Sequence, residues 1–580
     1  MLPGLGFGEI LGLWERFETA SQRFAVCFGL GLVLDTIAFS LGNYGPILFG
    51  RPESGTSVIT AYGLLLMGLA MIVVSITKRR KFLFETSLRV TDAYLVALIA
   101  ILSFILGLYL SKFPIFPEFQ SVDYSAHVKY AEQLASGSSP PGVGFLYYGV
   151  RFQLASALLL IGGEGLITAR ITMAILVVLS PFLFYLVSTE IFDSHHAGVI
   201  VAAVYALSGT IWFVTVFNTG LYANFFGILI TLFMIVVMKW LIDEPKSKLL
   251  WLVFTMTLFT AYFSHYSTVS VIPAIMILAL LQFKRERSKF MNYFWPTILL
   301  ILPLIAVVVL RPTFLNYLIG IAVSGGGSVS NTTFLSEILS PVPVLSYVAA
   351  EVSDDLALVA LILLSIAGAY GSVKSKKTFM LLPLLWLVSL LVAAPIAASA
   401  WRFSIEALVP LTLISGYGIF VVVTKFKKRW PVSGQTKWTS TLVLLLILTS
   451  VAYGSWGQGA LTDALTNSNS TAQAQRDVYT AIYWLKNNTP QDSTYLSLTD
   501  WRLTYTSLMI GRTTYYKYFS DENQSLEYSK SVGAEYIIIT RAVTLQIPPL
   551  PLLFPWNTFK QDSNLTQIYS NADVRVYQIT

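Results

Sequence analysis

The sequence predicts a polytopic α-helical membrane protein with about thirteen transmembrane helices and a small exterior α/β domain at its C-terminal end. Three observations predict it. With 55% hydrophobic and 12% charged residues over 580 positions, and a mean hydropathy of +0.67, the chain lacks the polar surface that a soluble globule of this size needs. Apolar runs of about 20 residues, enough to cross a bilayer, recur through most of its length. Beyond residue 458 they stop, and the composition becomes mixed polar and aromatic.

Taken in order, the expected spans are 24–49, 57–77, 92–111, 168–189, 197–217, 221–241, 249–264, 267–283, 291–310, 355–372, 378–398, 402–424 and 438–457. A further stretch, 145–161, is short and interrupted by Arg151 and Gln153. Basic clusters at Lys78–Lys81, Lys246 with Lys248, Lys284–Lys289, Lys374–Lys377 and Lys425–Arg429 should all be cytoplasmic. They share one side only if 145–161 does not cross. It is therefore expected to lie at the exterior interface, with Pro140 and Pro141 breaking the chain before it.

That parity divides the chain into an N-terminal pair of spans (1–91), a main membrane domain (92–457) with exterior loops 112–166 and 311–354, and an exterior domain (458–580). The N-terminus is expected to be cytoplasmic, with the first span acting as an uncleaved insertion signal. Asn-x-Ser/Thr sequons at Asn331, Asn469, Asn487, Asn523 and Asn564 all fall on the expected exterior side. In the last domain a helical pattern covers Arg476–Asn487, and strand-like runs cover Ser493–Leu498, Tyr536–Thr540 and Val574–Ile579.

Composition also excludes functions. The formal charge of +7 comes in short clusters between spans, so no nucleic-acid partner is expected. A single cysteine, Cys27 in the first span, rules out a disulfide framework and a cysteine metal site. The Gly325–Gly327 run lacks the strand-to-helix setting of a phosphate loop, which argues against cytoplasmic use of nucleotide sugars.

The exterior segment Phe113–Leu134 holds the first place to look for chemistry. Asp123 and His127, four residues apart, fall on one face of a short helix. Asp123-Tyr-Ser-Ala-His127-Val-Lys129 resembles the first exterior motif of the GT-C superfamily of membrane glycosyltransferases, and within it the archaeal oligosaccharyltransferase catalytic subunit. Ala400-Trp-Arg402-Phe, followed by Leu408-Val-Pro410 and Ile414-Ser-Gly416-Tyr-Gly418, is similar to the late span whose leading arginine meets the lipid phosphate. Asp477–Pro490 and Tyr495–Thr513 parallel the start of that family's exterior domain.

The departures are specific. Leu498-Thr-Asp500-Trp501-Arg502 stands where the oligosaccharyltransferase has its tryptophan-aspartate peptide-gripping motif. Gly220-Leu-Tyr222-Ala-Asn224-Phe stands where the family has a second acidic motif, so the carboxylates for a divalent Mg or Mn ion are missing there. Glu337 is a distant counterpart of the acidic residue in the family's exterior loop.

The resemblance implies transfer of a sugar or oligosaccharide from a polyprenyl phosphate-linked donor at the exterior face. The acceptor would be a glycan, lipid or protein, in an archaeal cell envelope. The chemistry needs a base for the acceptor proton and a cation for the departing phosphate. Asp123 suits the first task and Arg402, at the mouth of a span, the second. His127, Lys129, Arg151, Arg170, His265, Tyr222 and Asn224 are further candidates for phosphate or sugar, and Glu337, Asp500 and Trp501 for the acceptor. Each has a structural reading beside it. Asp123 can cap its helix, Arg402 can snorkel, and His127 and His265 can be structural. Asp35, inside the first span, is expected to hydrogen-bond a neighbouring helix, and His195 and His196 fall on the cytoplasmic side. A divergent oligosaccharyltransferase and a non-catalytic lipid-binding scaffold remain as alternatives.

Overall fold

A computed structural model describes residues 2–48, 56–77, 89–112, 122–136, 148–163, 165–218, 220–265, 267–310, 355–375, 377–393, 400–429, 441, 444, 469–497, 513–516, 522–540, 564–572 and 574–579. The chain is mainly helical. In order come α1 (Leu2–Ile10), α2 (Ala20–Leu48), α3 (Thr56–Thr77), α4 (Val90–Lys112), α5 (Val122–Ala135), α6 (Tyr148–Ile161), α7 (Gly165–Phe192), α8 (His195–Ser208) and α9 (Thr210–Trp212). A π-helical turn (Phe213–Asn218) leads to α10 (Tyr222–Asp243), α11 (Lys248–Ser264), α12 (Ser267–Arg285), α13 (Arg287–Leu310), α14 (Asp355–Lys374), α15 (Leu382–Ala393) and α16 (Ala400–Arg429).

Among the described residues, six helices are long and apolar enough to cross a membrane. They are Ala20–Gly42, Val90–Ser111, Ile167–Phe192, Tyr222–Asp243, Thr268–Arg285 and Glu406–Lys425, and shorter apolar helices accompany them. Helix α6 has 14 residues, or about 21 Å at 1.5 Å per residue, too short for the roughly 30 Å hydrocarbon layer. The sequence reading did not anticipate α1, which packs against α2 and α3.

Helix α10 is the centre of the bundle. Its apolar window is 94% buried, against 28% for α4, and α2, α6, α7, α11, α12 and α13 pack around it. Helices α14 and α16 cross closely because both carry glycine at the contact. A Cβ on Gly418 would lie within 2.8 Å of the Leu364 carbonyl carbon, and one on Gly368 3.0 Å from the Gly418 nitrogen.

Basic loops far apart in sequence meet at one end of the bundle. Arg16 pairs with Glu244, Lys377 with Asp193, and Arg89 with Glu18 at 2.9 Å. Arg285 Nη1 donates to Thr378 Oγ1 at 3.3 Å. Lys374 and Lys425 lie 5.6 and 4.5 Å from the ring centre of Tyr370. Three of the five expected basic clusters thus reach the same end through contacts of their own members, the loop of Lys246 and Lys248 follows Glu244, and His195, which meets Tyr185 Oη at 2.9 Å, is there too. Lys78–Lys81 lie outside the described residues.

The C-terminal part forms a five-stranded sheet, β1 (Thr494–Ser497), β2 (Thr513–Tyr516), β3 (Tyr536–Thr540), β4 (Leu565–Ser570) and β5 (Val574–Ile579), in the order β2-β1-β3-β5-β4. Strand β1 is parallel to β2 and β3, whereas β5 is antiparallel to β3 and β4. Two helices, α17 (Asn469–Asn488) and α18 (Glu522–Ser531), complete it, with Leu496, Leu526, Ile537, Ile539 and Tyr577 in one apolar cluster. A continuous β-branched run, Ile537–Ile539, buried on both faces, and the buried Val574, Val576 and Tyr577 account for the pairing of β3 with β5.

Candidate active site

The bundle end opposite the basic loops is built from α5, α6, the starts of α7 and α10, the α11–α12 turn and the start of α16. On α5, Asp123 and His127 are one turn apart, as the spacing predicts. Arg402 occupies the first turn of α16. The side chains of Asp123 and Arg402, and all of Glu337, Asp500, Trp501 and the loop 311–354, lie outside what the structure describes.

His127 and Arg151 form the first described cluster. Both are buried, and Arg151 Nε donates to His127 Nδ1 at 3.2 Å. The guanidinium carbon stands 4.1 Å from the centre of the Tyr130 ring, a cation–π contact from the next turn of α5. Burial, and then the neighbouring Arg151 charge, pushes the His127 imidazole down to about 3. His127 is therefore neutral, and with Nδ1 accepting, Nε2 carries the proton. A neutral imidazole here can donate one hydrogen bond to an anionic ligand.

Close helix packing fixes where Arg151 sits. A Cβ on Gly149 would come within 2.6 Å of Phe226 Cε1 and closer still to Ser264 Oγ. Only glycine lets the start of α6 lie against both α10 and the end of α11. This contact ties Arg151 to the neighbourhood of His265, the residue after Ser264, and to Tyr222 and Asn224, buried in the first turn of α10.

Arg170 lies on α7, buried, with its guanidinium 5.8 Å from the Tyr109 ring centre and 6.0 Å from that of Phe217. Tyr109 meets Phe217 edge-on at 5.5 Å. The π-helical turn presents Phe217 there, a local irregularity of the sort that gathers at functional sites. Lys129 is half-buried on α5, and among the described residues no hydrogen bond or ion pair joins it to these groups. Asp35 hydrogen-bonds Ser156 of α6, as expected of it.

The second described cluster was not anticipated. His265 ends α11 with extended backbone, and its Nδ1 lies 3.9 Å from Oε1 of Glu406, one turn along α16 from Arg402. Both side chains are buried, at 4% and 1% exposure. A signal existed: Glu406 is the one carboxylate in the thirty residues of α16. A carboxylate inside an apolar span is a functional candidate by default, the rule already applied to Asp35.

Among the described residues no three His, Cys, Asp or Glu side chains converge, and the Nδ1 of buried His127 accepts from the Arg151 guanidinium. The described end is cationic and imidazole-rich, chemistry that receives an anion.

A helical bundle of this architecture, followed by a small C-terminal α/β domain, has a GT-C-like fold. The likeness is to the archaeal oligosaccharyltransferase AglB of Archaeoglobus fulgidus and to ArnT of Cupriavidus metallidurans. The apo oligosaccharyltransferase superposes with a TM-score of 0.51 at 13% identity over 77% of this chain and 69% of that one. Its complex with an inhibitory peptide and a dolichol-phosphate gives 0.50 over the same shares. ArnT bound to undecaprenyl phosphate gives 0.50 at 12% identity over 84% of this chain and 98% of that one. No family model matches the chain, and no curated protein matches it.

Proposed function

We propose that this chain is a membrane glycosyltransferase that transfers a sugar or oligosaccharide from a polyprenyl phosphate-linked donor at the exterior membrane face. The observation that carries the reading is the clustering of His127, Arg151 and His265 at one end of a GT-C bundle, on the elements that bear Asp123 and Arg402. Two of the similar structures hold a polyprenyl-type phosphate, which supports a lipid phosphate as the anion this end receives.

In this reading Asp123 takes the proton from the acceptor hydroxyl as that oxygen attacks the anomeric carbon. The bond from that carbon to the phosphate oxygen breaks on the far side, with inversion. Arg402 holds the departing phosphate, and the His127 Nε2–H adds a hydrogen bond. Arg151 and Arg170, each fixed against aromatic rings, keep the local potential positive. The basic end of the bundle faces the cytoplasm, as does the N-terminus. The C-terminal domain, from about residue 458, stands outside.

Two features favour this over protein N-glycosylation. The tryptophan-aspartate motif is replaced by Leu498–Arg502, and the chain spans nearly all of ArnT but leaves about a third of the oligosaccharyltransferase without counterpart. The test is Asp123→Asn in purified protein, assayed for transfer from extracted polyprenyl phosphate sugars. The variant should keep its thermal midpoint and lose about 10²-fold or more in rate. A fully active variant removes Asp123 from the reaction. Mass spectrometry of envelope glycans after gene deletion tests the reading as a whole.

A further inference from the structure

The C-terminal domain carries four Asn-x-Ser/Thr sequons, and the fold separates them by geometry. Glycan transfer to a sequon needs the Asn amide and the hydroxyl two residues on to be presented together to another protein. Residues two apart share a face in extended chain but not on a helix. Asn469 opens α17, so its sequon runs into the first helical turn. Asn523 lies in α18, and its partner Ser525 is fully buried. Asn487 is exposed near the end of α17, but Thr489 is buried, its Oγ1 donating to the Leu485 carbonyl at 2.5 Å and meeting Tyr495 Oη. Asn564 differs. It stands in the turn that enters β4, Thr566 is the second residue of that strand, and both are exposed. Leu565 between them is partly buried and packs toward the cluster of Leu496 and Tyr577. The middle residue thus anchors the sequon to the domain, while its two reactive positions face water.

We propose that Asn564 is an N-glycosylation site, modified in the folded protein by a separate oligosaccharyltransferase that uses a polyprenyl-linked oligosaccharide. Asn564 Nδ2 forms the bond to the anomeric carbon as the bond from that carbon to the lipid phosphate oxygen breaks. The oxygen keeps the electron pair, and the amide gives one proton to the transferase's base. The inference rests on the reading that the C-terminal domain stands outside, where such a donor meets its acceptors. Among the described residues β4 is an edge strand, paired with β5 alone. An edge offers unpaired backbone donors and acceptors to any other chain, and a bulky hydrophilic group at its start shields them.

The test is glycopeptide mass spectrometry of the full-length protein in two settings. In the first, the folded protein in detergent is treated with a purified single-subunit oligosaccharyltransferase and polyprenyl diphosphate oligosaccharide. Occupancy at Asn564 should exceed that at Asn487 or Asn523 by about ten-fold or more, because those helices must open locally before their sequons can be presented. In peptides from the unfolded chain all three should be modified, and the preference for Asn564 should largely vanish. Thr566→Ala should abolish modification and Thr566→Ser should retain it, both with thermal midpoints near wild type, since the side chain is exposed at a sheet edge. Equal occupancy of Asn487 and Asn564 in the folded protein, or an Asn564 that stays bare, overturns the proposal. In the second setting the protein is purified from cells that N-glycosylate their exported proteins, and Asn564 should carry glycan. A bare Asn564 there, with Ser531→Cys labelled from outside by an impermeant thiol reagent in a Cys27→Ser background, overturns the proposal and leaves the topology intact. Failure of that labelling overturns the exterior placement and this inference with it.

Discussion

His127 shows how a side chain's charge depends on neighbours that its local sequence does not name. The sequence put it on the Asp123 face of a short helix, but only the fold reveals Arg151 against its Nδ1. An unfolded histidine takes up its proton near pH 6.5. In the folded chain His127 does so only near pH 3. Between those values the unfolded state binds more protons, so this residue makes the fold less stable as pH drops from about 6.5 toward 3, and leaves stability flat above that range. The thermal midpoint in detergent should therefore fall between pH 7.5 and pH 5, and His127→Gln should make that fall shallower. Arg151→Ala should also destabilise, by roughly 1–3 kcal/mol, because it removes both the imidazole bond and the Tyr130 contact. Urea or thermal unfolding of the purified variant measures it. Glu406 was legible in principle and passed over, since an acidic residue in a hydrophobic run was weighed only where it stood in the first span.

Among the elements, hydrophobic run length located the long spans, because a stretch of about 20 apolar residues has few other uses. It could not place α1, whose nine residues are too few to register as a span. Nor could it find the π-helical turn, an irregularity set by neighbouring packing rather than by local propensity. The expectation that α6 does not cross rests only on the arithmetic of basic loops, since at 14 residues it is as long as α8, which is expected to span. At this scale Gly149 is the sensitive point. Gly149→Ala should push α6 away from Phe226 and Ser264, cost about 1–3 kcal/mol, and reduce transfer. Gly107→Ala, on α4, is the control: nothing lies within 4 Å of the added Cβ, so its midpoint should match wild type. Equal behaviour of the two would mean the α6 contact is not tight.

For the whole molecule, the meeting of Arg285, Lys374, Lys377 and Lys425 at one end and of His127, Arg151, His265 and Glu406 at the other makes orientation a single yes-or-no question. With Cys27→Ser as background, a membrane-impermeant thiol reagent on intact cells should label Ser531→Cys, and should label Lys289→Cys only after permeabilisation. Labelling of both from outside would invert or break the proposed topology. The fold class was legible because bilayer thickness constrains sequence so strongly. The contacts of α11 with α6 and with α16 were not, since long-range helix packing leaves no periodic trace. The enclosure of α10 by other helices carries a last consequence. A lipid-facing helix such as α4 answers mainly to a solubility rule, so one greasy side chain replaces another there at little cost. Enclosed α10 answers to volume and shape, and a saturation scan should find it intolerant of swaps that α4 accepts freely, such as leucine for phenylalanine.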